Sequence, residues 1–513
     1  MEKATSGPTI GGQTLRALAR YPDRTAFAWD GHELSYRGAT DLIGRMQSTY
    51  AKAALSRPHR IALLAGNCGY CWCASVAAHL SGMSITWLHP AGSLDDHVSQ
   101  IEDAEVNALV IDAVHFAAHG HQLATRVPTG LPVFRIGRAD FGRDLLSAAE
   151  SAGSNSPQDM AITTDIALLN YTGGTTGRPK GAMRRHNAVT SYTSAILADF
   201  ELPARPRYLT VAPISHVAGV KVLPTLILGG TVHLMTGFDP SRVLKAISDD
   251  RINFSLMVPT MLYALMDHPD FEKTDLTSLE LLLYGAASMS PSRLEQGLKL
   301  IGPVFSQLYG QTEVYPATVL RKSDHDLSRK HLFTSCGFPV TAADVRLIDH
   351  EGHEVPPGDV GEICVRSPYV MEEYWKLPEL TAETLKHGWL HTGDIGRKDD
   401  EGFLYIVDRK KDMVITGGFN VFPREVEDAL TSHPAVANAA VIGLPDEKWG
   451  EAVTAIVVLR SQHVATEQEL ILHVKDKKGS VQAPKSVHFV ESLLMTPLGK
   501  VDKKALRDRY RSK

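Results

Sequence analysis

Short apolar runs alternate with amphipathic stretches over the first two thirds of the chain. Residues 60–65 and 108–112 are predicted to be short buried strands, and a helical stretch follows each of them. The same rhythm returns at residues 231–235, 254–258 and 281–284. Strands that alternate with helices of this length indicate βαβ units and parallel sheets. The pattern therefore predicts an α/β fold.

The pattern changes later in the chain. Residues 344–366 alternate polar and apolar positions with period two and are broken by Glu-Gly and Pro-Gly pairs, which predicts antiparallel hairpins. Beyond the charged run 408–412, an amphipathic helix is predicted behind Pro423, with strands at residues 437–442 and 455–459.

We place a domain boundary at the charged run. The predicted organisation is a large N-terminal domain, residues 1–408, and a small α+β C-terminal domain, residues 409–513. The larger domain combines βαβ-type sheets with a small antiparallel β subdomain.

Composition narrows the class of protein. Of the 513 residues, 43% are hydrophobic and 22% charged, which is typical of a globular enzyme and not of a disordered chain. The net charge of −5 and the lack of a dense Lys/Arg stripe argue against a nucleic-acid partner. The N-terminus has no apolar segment of a secretory signal, and the longest apolar runs, such as residues 220–228, are too short to span a membrane. We expect a cytoplasmic protein.

Three of the five cysteines, Cys68, Cys71 and Cys73, lie close together in the sequence. No second Cys/His cluster accompanies them at the spacing of a zinc site. The stretch after Cys68 is rich in alanine, which predicts a buried helix with the cysteines as small core residues.

A Gly/Thr-rich loop is the most informative stretch. Residues 171–181 read YTGGTTGRPKG and follow the predicted strand 166–169. Glycines let backbone amides approach an anion, threonines add hydroxyl donors, and a lysine adds charge. The Walker pattern is excluded, because Arg178 and not a lysine follows Gly177. The candidate phosphate-binding residues are Thr172, Gly173, Gly174, Thr175, Thr176, Gly177 and Lys180.

This loop resembles the nucleotide loop of the acyl-adenylate-forming superfamily, which includes acyl- and aryl-CoA ligases, peptide-synthetase adenylation domains and luciferases. Further motifs follow in the family's order, so that the resemblance covers nearly the whole chain. YGQTE at residues 309–313 is similar to the family's YGxTE, and YGAA at 284–287 to its adenine-lining segment. The resemblance implies nucleotide contacts at Gly285, Ala286, Ala287, Tyr309, Gly310 and Thr312, with Mg²⁺ held by Glu313.

Three later motifs complete the family pattern. GWLHTGD ends at Asp394, which the resemblance implies binds the ribose hydroxyls, and Asp408-Arg409 resembles the DR motif, with Arg409 reaching ribose or phosphate. Lys500, in PLGKVDK, resembles the catalytic lysine. A lysine ammonium there orients the carboxylate and stabilises the charge that develops. The resemblance also implies a mobile C-terminal domain that turns about Lys411.

The implied reaction has two steps. A carboxylate attacks the α-phosphorus of ATP, and coenzyme A then displaces AMP from the acyl-adenylate. GGFNVFP resembles the acyl-CoA ligase form of its region, which implies CoA contacts at Gly417, Gly418 and Phe419. Trp449 either packs on CoA or covers an apolar edge. The alternatives are an adenylating enzyme that loads a carrier protein or another nucleophile, and a non-catalytic nucleotide-binding protein. A homodimer stays open.

The segment 212–217 lacks the aspartate that peptide-synthetase domains use for α-amino acids. Instead it carries His216, which the resemblance places next to the substrate carboxylate as a gate or a contact. The same comparison implies that the acyl pocket is lined by His216, Val217, Ala218, Gly219, Gly310, Val314 and Tyr315. Small residues there suit aryl or medium-length acyl acids. One departure is Glu373, which replaces a family glycine; either a left-handed backbone strains it or the turn differs.

Overall fold

A computed structural model describes residues 7–153, 156–172, 180–461, 463–495 and 501–511. The strands are, in chain order, β1 (Thr25–Trp29), β2 (His32–Ser35), β3 (Arg60–Leu64), β4 (Ser84–Leu88), β5 (Ala108–Asp112), β6 (Val133–Ile136), β7 (Arg143–Asp144), β8 (Ile166–Thr172), β9 (Lys180–Arg185), β10 (Arg207–Thr210), β11 (Thr231–Leu234), β12 (Phe254–Met257), β13 (Leu281–Gly285), β14 (Phe305–Gln311), β15 (Val314–Leu320), β16 (Phe338–Pro339), β17 (Asp344–Ile348), β18 (Val360–Arg366), β19 (Glu373–Tyr374), β20 (Leu385–Lys386), β21 (Trp389–Lys398), β22 (Leu404–Arg409), β23 (Val414–Thr416), β24 (Phe419–Val421), β25 (Val436–Asp446), β26 (Gly450–Leu459) and β27 (Ser486–Phe489).

The α-helices are α1 (Ile10–Arg20), α2 (Tyr36–Lys52), α3 (Gly69–Leu80), α4 (Leu94–Asp103), α5 (Ala113–Arg126), α6 (Leu145–Ala152), α7 (His186–Asp199), α8 (Val222–Ile227), α9 (Pro240–Asp249), α10 (Pro259–Met266), α11 (Pro291–Leu300), α12 (Pro378–Thr384), α13 (Pro423–Thr431), α14 (Glu467–Lys478) and α15 (Lys503–Arg511). Several begin at the signals that the sequence provides. Asp239 caps α9 and is followed by a proline at the first helical position, and Thr466 forms a capping box with Glu469 at α14.

Two large sheets form the N-terminal part. The first has the strand order β19-β9-β8-β4-β3-β5-β6-β7, and its strands from β8 to β7 are parallel. The second has the order β16-β15-β14-β13-β12-β10-β11-β1-β2 and is parallel from β14 to β1. Every residue of β5 and β13 is buried, as expected for strands covered on both faces.

A smaller sheet follows, and its strands are antiparallel where those of the two large sheets are mainly parallel. Strands β17, β18, β21, β20 and β22 pair antiparallel, and along β21 buried residues alternate with half-buried ones. One face of this sheet therefore packs on the protein while the other meets solvent. The prediction of βαβ sheets joined to an antiparallel β subdomain is confirmed.

The C-terminal residues build a sheet and a core of their own. Strands β24, β23, β26 and β25 pair antiparallel, β27 adds a parallel edge, and α13 and α14 pack together on the sheet. One apolar cluster is drawn entirely from residues 414–487. The predicted α+β character is confirmed, whereas the boundary at residues 408/409 stays a prediction.

The cysteines lie where the sequence predicts them. All five are free and buried, and α3 is buried along almost its whole length. The fold also brings the ligand atoms of Cys68, Cys71 and Asp112 within 4.8 Å of one another. Asp112 already caps α5 through the amide of Val114 and bonds His115 Nδ1 at 2.7 Å, so its carboxylate serves the fold.

The mainly apolar run 220–228 includes the whole of α8 and, just before it, Lys221, whose side chain is fully buried. The prediction from the sequence concerns only the length of this run, and the burial of Lys221 is a finding of the structure. No helix among the described residues combines the length and apolarity that crossing a membrane requires.

A buried histidine supports the end of β13. His325 is 4% exposed; it accepts a hydrogen bond from the Tyr284 hydroxyl at 2.9 Å, and its other ring nitrogen lies 2.7 Å from the Arg321 carbonyl. A carbonyl can only accept, so Nδ1 carries the proton and the ring is neutral. Burial lowers the pKa of His325 to about 4.

We therefore expect acid to destabilise the protein partly through His325. Between pH 6.5 and 4 the unfolded chain binds a proton at this ring that the native chain does not, so that stability falls as the pH falls. The loss from pH 7.5 to pH 5 is about 2 kcal/mol for this one group. Urea unfolding of His325→Gln at the two pH values should show a weaker pH dependence than the native chain. The exposed His350→Gln serves as control, and an unchanged pH dependence in His325→Gln contradicts the assignment.

Candidate active site

The predicted nucleotide residues meet where several strands end. Thr172 closes β8 opposite Lys180, which opens β9, so the two ends of the Gly/Thr loop are paired in the sheet. Gly285 ends β13 and is buried, while Ala286 and Ala287 beyond it are exposed. Ala286 has a φ of +64°, a left-handed conformation that bends the chain at once after the strand. Gly173, Gly174, Thr175, Thr176 and Gly177 lie outside the described residues, as does Lys500.

Asp394 is the most enclosed carboxylate of the predicted set. It is 2% exposed and accepts a hydrogen bond from the Tyr309 hydroxyl at 2.7 Å. Its other oxygen lies 2.5 Å from Nε of Arg409, whose side chain is 42% exposed. Burial and the Asp394 charge hold the pKa of Tyr309 well above its ordinary value, so the phenol remains a donor. The structure thus brings together three residues that the sequence separates by up to 100 positions.

The turn at Thr312 and Glu313 is held by side chains from other strands. The buried Arg184 of β9 donates from Nε to the Tyr369 carbonyl at 3.1 Å and, through its terminal nitrogen, to the carbonyl of Thr312. Glu313 is 8% exposed and accepts a hydrogen bond from the Tyr374 hydroxyl at 2.6 Å. The backbone of the turn is therefore fixed while the Thr312 side chain remains half-buried.

Lys180 belongs to the same neighbourhood. Its ammonium lies 5.7 Å from the centroid of the Tyr374 ring. Tyr374 is also the residue whose hydroxyl donates a hydrogen bond to Glu313. A carboxylate oxygen is the ligand type that Mg²⁺ prefers, and a nearby ammonium suits a phosphate. The residues present thus fit a magnesium–triphosphate site.

Sequence reasoning missed Arg184 and Tyr374. Both are paired through the fold with residues more than 60 positions away, which no local pattern reports. The concern about Glu373 is also resolved. Glu373 lies in β19, paired with Met183, and the left-handed residue is Lys376, with a φ of +57°. The turn therefore differs from the family's turn, which is the second of the two alternatives given above.

The predicted acyl-pocket residues come from two segments, residues 216–219 before α8 and residues 310–315 at the turn between β14 and β15. His216 bonds Ser215 Oγ at 2.8 Å and packs edge-on against His89, with ring centroids 4.5 Å apart. Burial and the neighbouring His89 lower the pKa of His216 to about 3. The ring is therefore neutral at ordinary pH, and it offers hydrogen-bonding nitrogens and no positive charge.

Two glycines of this region have no room for a side chain. A Cβ on Gly219 would lie 1.8 Å from the Ile214 carbonyl, and one on Gly310 would lie 2.8 Å from the Val314 carbonyl and 2.9 Å from the Tyr315 ring. Val217 and Tyr315 are half-buried, whereas Ala218 and Val314 are fully enclosed. Of the predicted lining, Ala218 and Val314 thus form the layer behind the surface.

The predicted CoA residues form an exposed apolar corner. Gly417 and Gly418 have φ values of +57° and +83°, and the Gly417 amide donates to the Trp449 carbonyl at 2.8 Å. A Cβ on Gly417 would lie 3.1 Å from the Trp449 ring. Phe419 is 61% and Trp449 37% exposed, and Lys485 lies 5.0 Å from the Trp449 ring centroid. Two exposed aromatic side chains, one of them with a cation over its ring, fit a ligand with apolar and anionic parts.

The predicted pivot, Lys411, is exposed between two anchored neighbours. On one side, Asp408 accepts hydrogen bonds from the amides of Arg409 and Arg424 at 2.7 and 2.9 Å. On the other side, Asp412 pairs with Arg507 of α15 at 2.8 Å. The segment that joins the two predicted domains is thus pinned at both ends by carboxylates.

Comparison with known proteins agrees with this arrangement. Residues 15–375 match the AMP-binding enzyme family, and residues 425–500 match the AMP-binding enzyme C-terminal domain. The chain belongs to the AMP-binding enzyme family. It is 46% identical over 449 residues to a medium/long-chain-fatty-acid–CoA ligase, FadD8, of Mycobacterium tuberculosis, covering 85% of this chain and 78% of that protein. It is 35% identical over 504 residues to a feruloyl-CoA synthase of an Amycolatopsis species, covering 98% and 99%.

Solved structures extend the likeness to the whole architecture. The amide bond synthetase McbA from Marinactinospora thermotolerans superposes with a TM-score of 0.91 at 31% identity, over 98% of this chain and 100% of that one. ATP-bound MatB from Rhodopseudomonas palustris superposes with a TM-score of 0.86 at 28% identity, over 98% and 99%. The fold predicted from the family resemblance is therefore confirmed.

We expect Asp394→Ala to weaken ATP binding. If the buried carboxylate accepts hydrogen bonds from the ribose hydroxyls, its loss removes these charge-assisted hydrogen bonds and raises the KM for ATP by about ten- to a hundredfold. ATP–pyrophosphate exchange at varied ATP concentrations measures this. Asp400→Ala, an exposed aspartate at the turn of the same hairpin, should leave the KM unchanged. An unchanged KM in Asp394→Ala contradicts the ribose role.

Proposed function

We propose that this chain is an AMP-forming carboxylate–CoA ligase, which uses ATP and Mg²⁺ to convert an organic acid into an acyl-adenylate and then passes the acyl group to coenzyme A. The observation that carries this proposal is the Tyr309–Asp394–Arg409 network beside the Thr312–Glu313 turn. It offers a buried acceptor for ribose next to a second carboxylate suited to a cation. Membership of the AMP-binding family and similarity to CoA ligases support the same activity.

In the first step a carboxylate oxygen of the acid attacks the α-phosphorus of ATP. The new P–O bond forms as the bond to pyrophosphate breaks, and no proton needs to move. We assign the phosphates to Thr172, Lys180 and the loop between them, the ribose to Asp394, and the carboxylate to Lys500. Bound Mg²⁺, held by Glu313 and phosphate oxygens, would neutralise charge on the triphosphate.

In the second step the thiol of CoA attacks the acyl carbon. The thiol releases its proton to solvent water, the C–S bond forms, and the bond from the acyl carbon to the phosphate oxygen breaks to release AMP. The exposed Phe419 and Trp449, with the glycines at 417 and 418, are our candidates for the CoA contact. We place the hinge between the two steps at Lys411 and the domain boundary after residue 408. The separate apolar cluster of residues 414–487 supports this division.

The acid is, in this proposal, an aryl or medium-length acyl acid. The relatives that support this class are named for medium- and long-chain fatty acids, ferulate and indoleacetate. The neutral, half-buried His216 supports it as well, since it adds no charge to the pocket that would oppose an apolar acyl group.

A nucleophile other than CoA is the second candidate acceptor for the acyl group. The high structural similarity to an amide bond synthetase favours the alternative in which an acyl-adenylate passes to another nucleophile, such as an amine or a carrier protein. A non-catalytic nucleotide-binding role is less well supported, because the described catalytic positions carry the family's residue types. We further propose a cytoplasmic location, consistent with five free cysteines. The homodimer stays a prediction.

A panel of carboxylates tests the proposal. Each acid is incubated with ATP and Mg²⁺, with and without CoA, and pyrophosphate, AMP and the acyl product are measured. We expect CoA-dependent AMP formation and an acyl-CoA with at least one aryl or medium-chain acid. If pyrophosphate forms without a CoA ester, and an amide forms when an amine is added, the acceptor is this second nucleophile and not CoA. No pyrophosphate with any acid contradicts the enzyme assignment.

We expect Lys500→Ala to reduce pyrophosphate release by about a hundredfold or more, because the ammonium stabilises charge only as the reaction proceeds. ATP binding, measured by calorimetry, should change by less than about threefold, since ground-state contacts remain. Lys504→Ala, which alters an exposed lysine of α15, is the matched control and should leave both quantities unchanged. Undiminished turnover in Lys500→Ala refutes the catalytic role.

A further inference from the structure

One buried lysine has no part in the chemistry described so far. Lys221 lies just before α8 and is fully buried. Its ammonium nitrogen lies 3.2 Å from the Val217 carbonyl and contacts the hydroxyl of Tyr315. The Tyr315 and Phe200 rings flank it, with centroids 4.1 and 5.5 Å away. Both Val217 and Tyr315 belong to the predicted acyl pocket.

The surroundings of Lys221 are neutral. Within the described ranges no aspartate or glutamate forms an ion pair with it, and burial lowers its pKa well below the ordinary value. The nearby Tyr208 hydroxyl donates to the Ala218 carbonyl at 3.0 Å, so this carbonyl is already engaged. An apolar side chain of similar length would fill the same space without desolvating an amine.

The lysine and the tyrosine together carry more hydrogen-bond donors than the acceptors around them can use. A charged Lys221 has three N–H groups and Tyr315 one O–H, but only the Val217 carbonyl and the Tyr315 oxygen accept. A neutral Lys221 has two N–H groups and one lone pair, and one donor still remains. In either protonation state a donor has no acceptor among the residues that the structure describes. Buried donors in native proteins are almost always paired.

Tyr315 is the member of this pair that belongs to the predicted acyl pocket. It is half-buried, it follows Glu313 and Val314 at the start of β15, and its ring lies 2.9 Å from the Cβ position of Gly310. Lys221 itself is closed off from solvent and therefore acts through, or directly behind, the tyrosine hydroxyl. The half-buried Val217 and Val220 lie beside them, so the polar pair is framed by apolar surface.

We propose that Lys221 and Tyr315 form a hydrogen-bond donor site in the wall of the acyl pocket, which binds an oxygen carried by the acyl group itself. The inference rests on the proposed function and names its substrate class: an aryl or alicyclic acid with a phenolic or carbonyl oxygen remote from the carboxylate. Such an acid pairs the surplus donor, whereas a pure hydrocarbon group leaves it buried without an acceptor. Tyr315 binds the oxygen, and Lys221 is a positioning residue.

Matched acids that differ in one group test this site. 4-Hydroxycinnamate is compared with cinnamate for the phenol, and 4-acetylcinnamate with 4-ethylcinnamate for the carbonyl, with octanoate as an unrelated apolar acid. The readout is kcat/KM for pyrophosphate release. We expect the native chain to prefer the oxygen-bearing member of at least one pair by about tenfold or more, because an unpaired buried donor penalises the other member. A preference within the first pair of acids indicates that the site binds a phenol, and a preference within the second pair indicates that it binds a ketone.

Variants then assign the preference to these residues. Lys221→Met and Tyr315→Phe should each lower the preference ratio by about fivefold or more, and the double variant by less than the product of the two, because both serve one oxygen. Tyr315→Phe removes a single oxygen atom and carries the test if Lys221→Met does not fold. The exposed Lys273→Met is the matched control and should leave the rates and their ratio unchanged.

Three results overturn the inference and leave the proposed function intact. The first is a kcat/KM ratio near one in both pairs of acids. The second is that the variants keep the native ratio. The third is that the native chain activates octanoate but none of the aromatic acids. By contrast, no pyrophosphate with any acid overturns the proposed function, and the inference falls with it.

Discussion

A buried carboxylate, Asp394, fixes the geometry on which the candidate site depends. A charge removed from water is tolerated only when it is paired and hydrogen-bonded. Asp394 meets this requirement with Tyr309 from β14 and Arg409 from β22. The first partner belongs to the nine-stranded sheet, and the second is the last residue of the antiparallel sheet. Pairing one charge therefore fixes two sheets and the start of the C-terminal residues relative to one another.

The candidate site has two electrostatically different halves. On the nucleotide side, Lys180 and Arg409 supply positive charge near two buried carboxylates, an arrangement suited to a polyanion with its counter-ion. On the acyl side, His216 is neutral and Lys221 is surrounded by uncharged groups. In the proposed function this contrast separates the two substrates: charge would recognise the triphosphate, while shape and single hydrogen bonds would recognise the acid.

Much of the fold follows from the sequence because each layer has a local signature. Continuous apolar runs such as β5 predict strands buried on both faces, and the period-two pattern of β17 and β18 predicts an antiparallel pair. The motif order likewise predicts which residues gather around Asp394. The supporting side chains could not be predicted. Arg184 reaches Thr312 across 128 positions and Tyr374 reaches Glu313 across 61, and only the folded chain brings them together.

Lys221 shows a different limit of sequence reasoning. It stands in a run of mainly apolar residues, in which Thr225 is the other polar residue, and the sequence pattern does not show that the lysine is buried. A single charged residue in a mainly apolar segment does not show by itself whether its side chain reaches solvent. It changes the chemistry of a pocket wall decisively, because a buried donor demands an acceptor.

The separation of Lys221 from the Asp394 network has an evolutionary consequence. Among the described residues no hydrogen bond or ion pair joins Lys221 to Asp394, so that the pocket wall and the nucleotide site can change independently. One nucleotide change converts a lysine codon into one for methionine or isoleucine, both apolar residues that suit a helix near its start. A descendant gene is thus a single base away from accepting a different class of acid while its ATP chemistry is inherited intact.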